Sequence, residues 1–129
     1  MIRDDNMWLS EHFRIPEFWC SCCGMHIENH RLIFALEALR KRCGCVPITI
    51  LSGTRCKEWN TLVGGATGSK HLYGAAADIV IHGLHPIEMA SKAEFISAFA
   101  HGGIGTYPNK GFIHVDVRLD SPARWTVND

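Results

Sequence analysis

His71 and Asp78 stand seven positions apart, and the six residues between them, Leu72-Tyr73-Gly74-Ala75-Ala76-Ala77, lead into the apolar run Ile79-Val80-Ile81. Imidazole and carboxylate are the donors that a catalytic zinc takes from a protein. His114, in Phe112-Ile113-His114-Val115-Asp116, completes a set of three that leaves a fourth position for water. That set constrains the backbone. On one helix the first two side chains would share a face but stand about 10 Å apart along the axis. On one straight strand they would be roughly 23 Å apart and on opposite faces. Zinc bonds of about 2.0 to 2.2 Å span neither distance. A chain that uses both residues must bend between them, and Gly74 followed by three alanines supplies a backbone that can turn sharply and pass close to a metal. His71 accordingly reads as a loop residue and Asp78 as the start of a buried strand. The chemistry implied is that of a metal-dependent hydrolase.

The third candidate has a different setting. Gly111 to Val117 alternates and is β-rich, which predicts a strand with Phe112, His114 and Asp116 on one face and Ile113, Val115 and Val117 on the core side. The polar pair needs a partner, which a metal would supply and an exposed face would supply as well.

Taken together, Leu51-Ser52-Gly53-Thr54-Arg55-Cys56, Asn60, Gly64-Gly65, Ser69-x-His71, Gly74-x-Ala76-x-Asp78, Gly103-x-Gly105 and Phe112-Ile113-His114-Val115-Asp116-x-Arg118 resemble the zinc D-alanyl-D-alanine carboxypeptidase family of peptidoglycan peptidases. Ser10 to Phe13 and Glu17 to Gly24 are similar to the opening of its short phage and bacterial forms, so the likeness runs from about Ser10 to Arg118. It implies an α+β fold of the hedgehog/DD-peptidase type, a small antiparallel sheet with helices packed on one side, and a single zinc peptidase domain over residues 1–129. It also implies His71, Asp78 and His114 as ligands of Zn²⁺. Arg55 aligns with the arginine that holds the substrate near its terminal carboxylate, a task suited to a planar guanidinium with parallel donors. A structural ion pair is the alternative for Arg55.

The chain departs from the family at one place. Better-described members carry the general base three residues before the third ligand, where this chain has Gly111. Asp116, on the face of His114, reads either as the replacement base or as the acceptor that orients a ligand histidine. The reaction implied is water attack on an amide, with zinc lowering the pKa of its water to about 7. Ser69 and Tyr107 are candidate donors to the substrate, and Tyr107 reads equally as closing the turn at Pro108-Asn109-Lys110-Gly111.

The substrate class expected is a stem or cross-link peptide of peptidoglycan, cut by a carboxypeptidase or by an endolysin-like endopeptidase. The rival reading is a non-catalytic wall-binding or virion structural module that keeps fold and metal, as the hedgehog signalling domain keeps this fold for binding. Acidic and basic residues balance at 13 each, so there is no electrostatic footprint for nucleic acid or an anionic membrane surface. A chain of 129 residues with 47% hydrophobic content suits one domain and a monomer. Met1 to Asn6 lacks the apolar region of a secretory signal, which points to synthesis in the cytoplasm and to a phage product that reaches the wall after membrane permeabilisation or in a virion.

Six cysteines fit free, mostly buried thiols in a reducing compartment. Disulfides, or a second metal on Cys20-x2-Cys23 with Cys43-x-Cys45, are the alternatives. Of the eight histidines, His12, His26, His30, His82, His85 and His101 lack ligand-like spacing. Periodicity predicts a helix over Glu28 to Arg42 capped by Asn29, a strand at Ile48 to Leu51 and a short helix over Cys56 to Val63. A further helix starts at His85-Pro86, Ser91 to Ala100 continues or restarts helical structure with Phe95, Ile96 and Phe99 inward, and a hairpin joins Gly103 to Tyr107 with Gly111 to Val117. The tail from Leu119 reads as polar and partly ordered apart from Trp125, and Trp8, Trp19 and Trp59 as core or rim aromatics.

Overall fold

A computed structural model describes residues 7–129. The reading of Met1 to Asn6 falls outside them. Five strands form one sheet in the order β1-β2-β4-β3-β5: Ile48–Ser52, Ala76–Ile81, Phe112–Asp116, Gly103–Tyr107 and Ala123–Thr126. The first four are antiparallel to their neighbours, while β5 runs parallel to β3 and makes the sheet mixed. The tail therefore ends in an ordered edge strand.

Among the described residues four α-helices complete the α+β architecture: α1 (His30–Arg42), α2 (Lys57–Leu62), α3 (Pro86–Ala93) and α4 (Ser97–Ala100). Asn29 caps α1 by accepting from the Leu32 amide at 3.2 Å, and Pro86 occupies the first turn of α3 behind His85, both as the residue types require. The apolar stripe Leu32, Ile33, Leu36, Leu39 of α1 joins Met89 and Ala93 of α3 and Phe99 of α4 in one core. Ala77, Ile79, Ile81, Ile104, Ile113 and Val115 close that core from one face of the sheet. The opposite face is left for the polar residues.

Several boundaries differ from expectation. Asp78 lies inside β2 instead of opening it, because Ala76 already pairs with Asp116. The helical run after His85 takes the restarting form, breaking at Glu94 and resuming at Ser97, and Phe95, expected inward, turns outward to 62% exposure with the Arg42 guanidinium 4.0 Å from its ring centroid. Trp8 and Trp19 are exposed at 49% and 42%, so neither is a core residue. Of the six thiols only Cys20 is buried, since Cys22, Cys23 and Cys45 lie on exposed turns. Among the described residues no helix is long and apolar enough to cross a membrane.

Candidate metal centre

The site begins with the bend at Gly74. His71 sits in a 3-10 turn, Lys70–Tyr73, whose start is capped by Ser69 Oγ accepting from the His71 amide at 3.2 Å. Gly74 then takes a left-handed conformation, φ +70, and a Cβ there would strike the Ile27 carbonyl. A glycine is required on both counts. The chain reverses and enters β2 with Ala76 and Ala77 fully buried, bringing Asp78 back beside His71.

Cross-strand register does the rest. Ser52, Asp78, His114, Gly105 and Trp125 form one row across the sheet, each paired with the next. Ala76, Asp116, Gly103 and Ala123 form the next row. Paired residues share a face, so both rows lie opposite the apolar core. The glycines of β3 make the polar face possible: a Cβ at Gly103 would collide with the Asp116 carboxylate, and one at Gly105 with the Trp125 indole.

His71 Nε2 and His114 Nδ1 approach the same atom, Asp78 Oδ1, at 3.1 and 3.3 Å. One donor atom from each of the three residues lies within 4.8 Å of the others, and all three residues are buried. Each is also held from behind. His71 Nδ1 donates to the Gly53 carbonyl at 2.7 Å, His114 Nε2 faces Asp116 Oδ2 at 2.7 Å, and Arg55 Nη2 donates to Asp78 Oδ2 at 3.0 Å. Those partners fix which nitrogen of each ring is left for a ligand bond. Two imidazoles and a carboxylate, converging and oriented in this way, fit a zinc-type ion with an open position.

Electrostatics follows from the same contacts. Burial raises Asp78, but hydrogen bonds from His114 and His71 outweigh it and hold its carboxyl well below the usual range. Burial lowers His114, yet Asp116 and Asp78 together push it above the ordinary imidazole value. Burial likewise raises Asp116, against the stronger pull of Arg118 and His114, and its carboxyl ends well below the usual range.

An open cleft of about 610 Å³ gives onto the three donors. Arg55, Ser69 and Tyr107 all line it. Each also has a structural task. The Arg55 guanidinium reaches Ser52 Oγ and Asn60 Oδ1, both at 3.2 Å, besides Asp78. Tyr107 stacks on Phe112 with centroids 4.5 Å apart, its carbonyl closes the turn to Gly111 and its hydroxyl accepts from Trp125 at 3.0 Å. Asp116 is fully buried and does not line the cleft. Its carboxylate accepts from the Gly103 amide, from His114 and from the Arg118 guanidinium at 2.7 to 2.9 Å.

Sequence reasoning missed Trp125 and Arg118 as cleft residues. The Trp125 ring lies 4.9 Å from that of His114, centroid to centroid. The alternate glycines of β3 were the available signal, because they leave a hole that a large neighbour must fill.

Two known proteins are similar to part of this chain. The zinc D-Ala-D-Ala carboxypeptidase of Streptomyces albus G is 45% identical over 47 residues, 36% of this chain and 18% of that protein. The probable peptidoglycan L,D-endopeptidase MepK of Haemophilus influenzae is 36% identical over 74 residues, 54% of this chain and 38% of that protein. In both cases the matched stretch is well under two thirds of the relative's own length. The peptidase M15 family model spans far more of the chain, matching residues 11–116 from the first turn to the buried aspartate of β4, and the chain belongs to that family.

Proposed function

We propose that the chain is a zinc-dependent peptidase acting on the stem or cross-link peptides of bacterial peptidoglycan. The observation that carries this reading is the convergence of His71 Nε2, His114 Nδ1 and Asp78 Oδ1, each with its second polar atom already committed elsewhere. His71, Asp78 and His114 would hold the ion, which when bound supplies Lewis acidity toward the scissile carbonyl and a water made acidic enough to react near neutral pH.

The protein's own groups prepare that chemistry. Asp116 Oδ2 holds the proton on His114 Nε2, the Gly53 carbonyl holds that on His71 Nδ1, and Arg55 fixes the outer oxygen of Asp78. Asp116 is thus an orienting acceptor; buried behind the imidazole, it has no path to a proton in the cleft. Arg55, Lys70, Lys110 and Arg118 line the cleft, with Arg55 paired to Asp78, Arg118 to Asp116 and Lys70 to Asp120. The guanidinium nitrogens of Arg55 and Arg118 carry further N–H donors beyond those bonds, and these, with the Lys110 ammonium, are the groups that would meet a carboxylate of an acidic peptide.

A wall-binding or virion module that keeps the metal without turnover is the second reading. It is favoured by Gly111, which sits in a turn at φ +79 with open space around it, so no carboxylate enters the cleft from there. One experiment separates the two. Zinc-loaded protein is incubated with purified sacculi and the soluble fragments are identified by mass spectrometry. Release of D-alanine or of peptide fragments, abolished by chelator and by His114→Ala, supports the peptidase and names its bond. Binding to sacculi without released fragments supports the module. A signal that survives both treatments would sink the zinc mechanism.

A further inference from the structure

Outside this site lies a second group of metal-ligating side chains. Cys20, Cys23 and Cys56 each offer a sulfur, and the three sulfurs lie within 4.8 Å of one another. A tetrahedral zinc with bonds of about 2.3 Å keeps its sulfurs about 3.8 Å apart, so small side-chain adjustments separate this group from a ligand set. Cys20 and Cys23 come from one tight turn, closed by Gly24 donating to the Cys20 carbonyl at 2.8 Å and Cys20 donating to the Met25 carbonyl at 2.7 Å. Cys56 comes from the loop that follows β1. Cys22, exposed, lies between Cys20 and Cys23 in the same turn, and its sulfur is not among the three that converge.

The backbone treats these sulfurs as acceptors. The Cys56 amide donates to Cys20 Sγ, and the Trp59 amide to Cys56 Sγ, both at 3.4 Å. Amide donors spread the negative charge of coordinated thiolates, as hydrogen-bonded partners do around other metal ligands. Cys-x2-Cys with distant cysteines is also the ligand spacing of structural zinc. The sequence pairing of this turn with Cys43 and Cys45 does not hold, because neither belongs to the group.

We propose that Cys20, Cys23 and Cys56 hold a structural zinc ion separate from the one at His71, Asp78 and His114, with Cys22 of the same turn swinging in as the fourth ligand. Its effect falls on the loop of residues 53 to 56. That loop gives His71 the Gly53 carbonyl, donates the Arg55 amide to the His71 carbonyl at 3.0 Å, and is tied by Thr54 to the Phe18 carbonyl at 2.7 Å. An ion joining Cys56 to the turn of Cys20 and Cys23 clamps the far end of the same loop, so the thiolates act as positioning residues for His71 and Arg55.

Two measurements on the full chain test this. The first is zinc content per chain, in protein purified under reducing conditions with zinc present. About two ions are expected in the parent, about one in Cys23→Ser and in Cys56→Ser, and about one in His71→Ala. The second replaces zinc by Co²⁺ in the unaltered protein and reads the thiolate-to-cobalt charge-transfer absorption, so it needs no variant to fold. That band is expected in the parent and in His71→Ala. Parent protein with no thiolate band, Cys→Ser variants with undiminished zinc, or thiols found paired as disulfides in the purified chain would each overturn the proposal. Failure here with one ion retained by the histidines leaves the peptidase reading intact, and loss of only the histidine ion does the reverse.

Discussion

His114 Nε2 lies 2.7 Å from Asp116 Oδ2, on the side of the imidazole turned away from Asp78. A carboxylate so placed sets the tautomer and orientation of a ligand histidine, and partners of this kind are worth about 10- to 100-fold in metal affinity. Asp116→Asn is therefore expected to weaken zinc binding by about that factor, measured by competition with a chromogenic chelator, while kcat at saturating zinc falls less. A fall in kcat with unchanged zinc affinity would identify Asp116 as the base instead.

Gly103 and Asp116 face each other in register across β3 and β4, and the space above Gly103 is filled by the Asp116 carboxylate. Gly103→Ala must push that carboxylate off His114 and Arg118. Overpacking of this sort costs about 1 to 3 kcal/mol. The expected result is a lower Tm together with weaker zinc binding. Thermal melts with and without chelator check this, and a variant that melts like the parent in both would remove Gly103 from the site's architecture.

The bend at Gly74 and the face shared by His114 and Asp116 were legible in the sequence because each follows from local geometry. Ligand bonds cannot cross a straight segment from His71 to Asp78, and strand parity needs only alternation. The row from Ser52 to Trp125 was not legible, since register between strands far apart in the chain depends on how whole elements pack. That is why Trp125 and Arg118 were overlooked and why Asp116 kept two readings. Phe95 failed for a related reason: apolar spacing continues through Glu94, but the helix does not.

Arg55 reaches Ser52, Asn60 and Asp78 from three different nitrogens, at 3.2, 3.2 and 3.0 Å. A lysine keeps the charge but not the planar fork that meets three partners at once. Hydrogen bonds to charged groups contribute about 1.5 to 3 kcal/mol each. Arg55→Lys is expected to lose roughly 10- to 100-fold in kcat/KM on an acidic peptide, mostly through KM, with Asp78 less firmly held. Steady-state kinetics on a synthetic stem peptide would show it, and an unchanged KM would reduce Arg55 to a structural ion pair.

Stability of chelator-treated protein is expected to fall at both ends of the pH range, for opposite reasons. Asp78 and Asp116 are held below their ordinary values, so their stabilisation is present above the unfolded carboxylate pKa of about 3.9 and is lost as pH drops through the folded values. His114 is held above its ordinary value, so its contribution is full below about 6.5 and is lost as pH rises through the folded value. Tm measured from pH 2 to 9 in chelator should therefore pass through a maximum between these limits. In His114→Gln the alkaline fall should flatten while most of the acid fall remains, because Asp116 keeps its hydrogen bonds to Arg118. An alkaline limb as steep as in the parent would show that another group, not His114, titrates there.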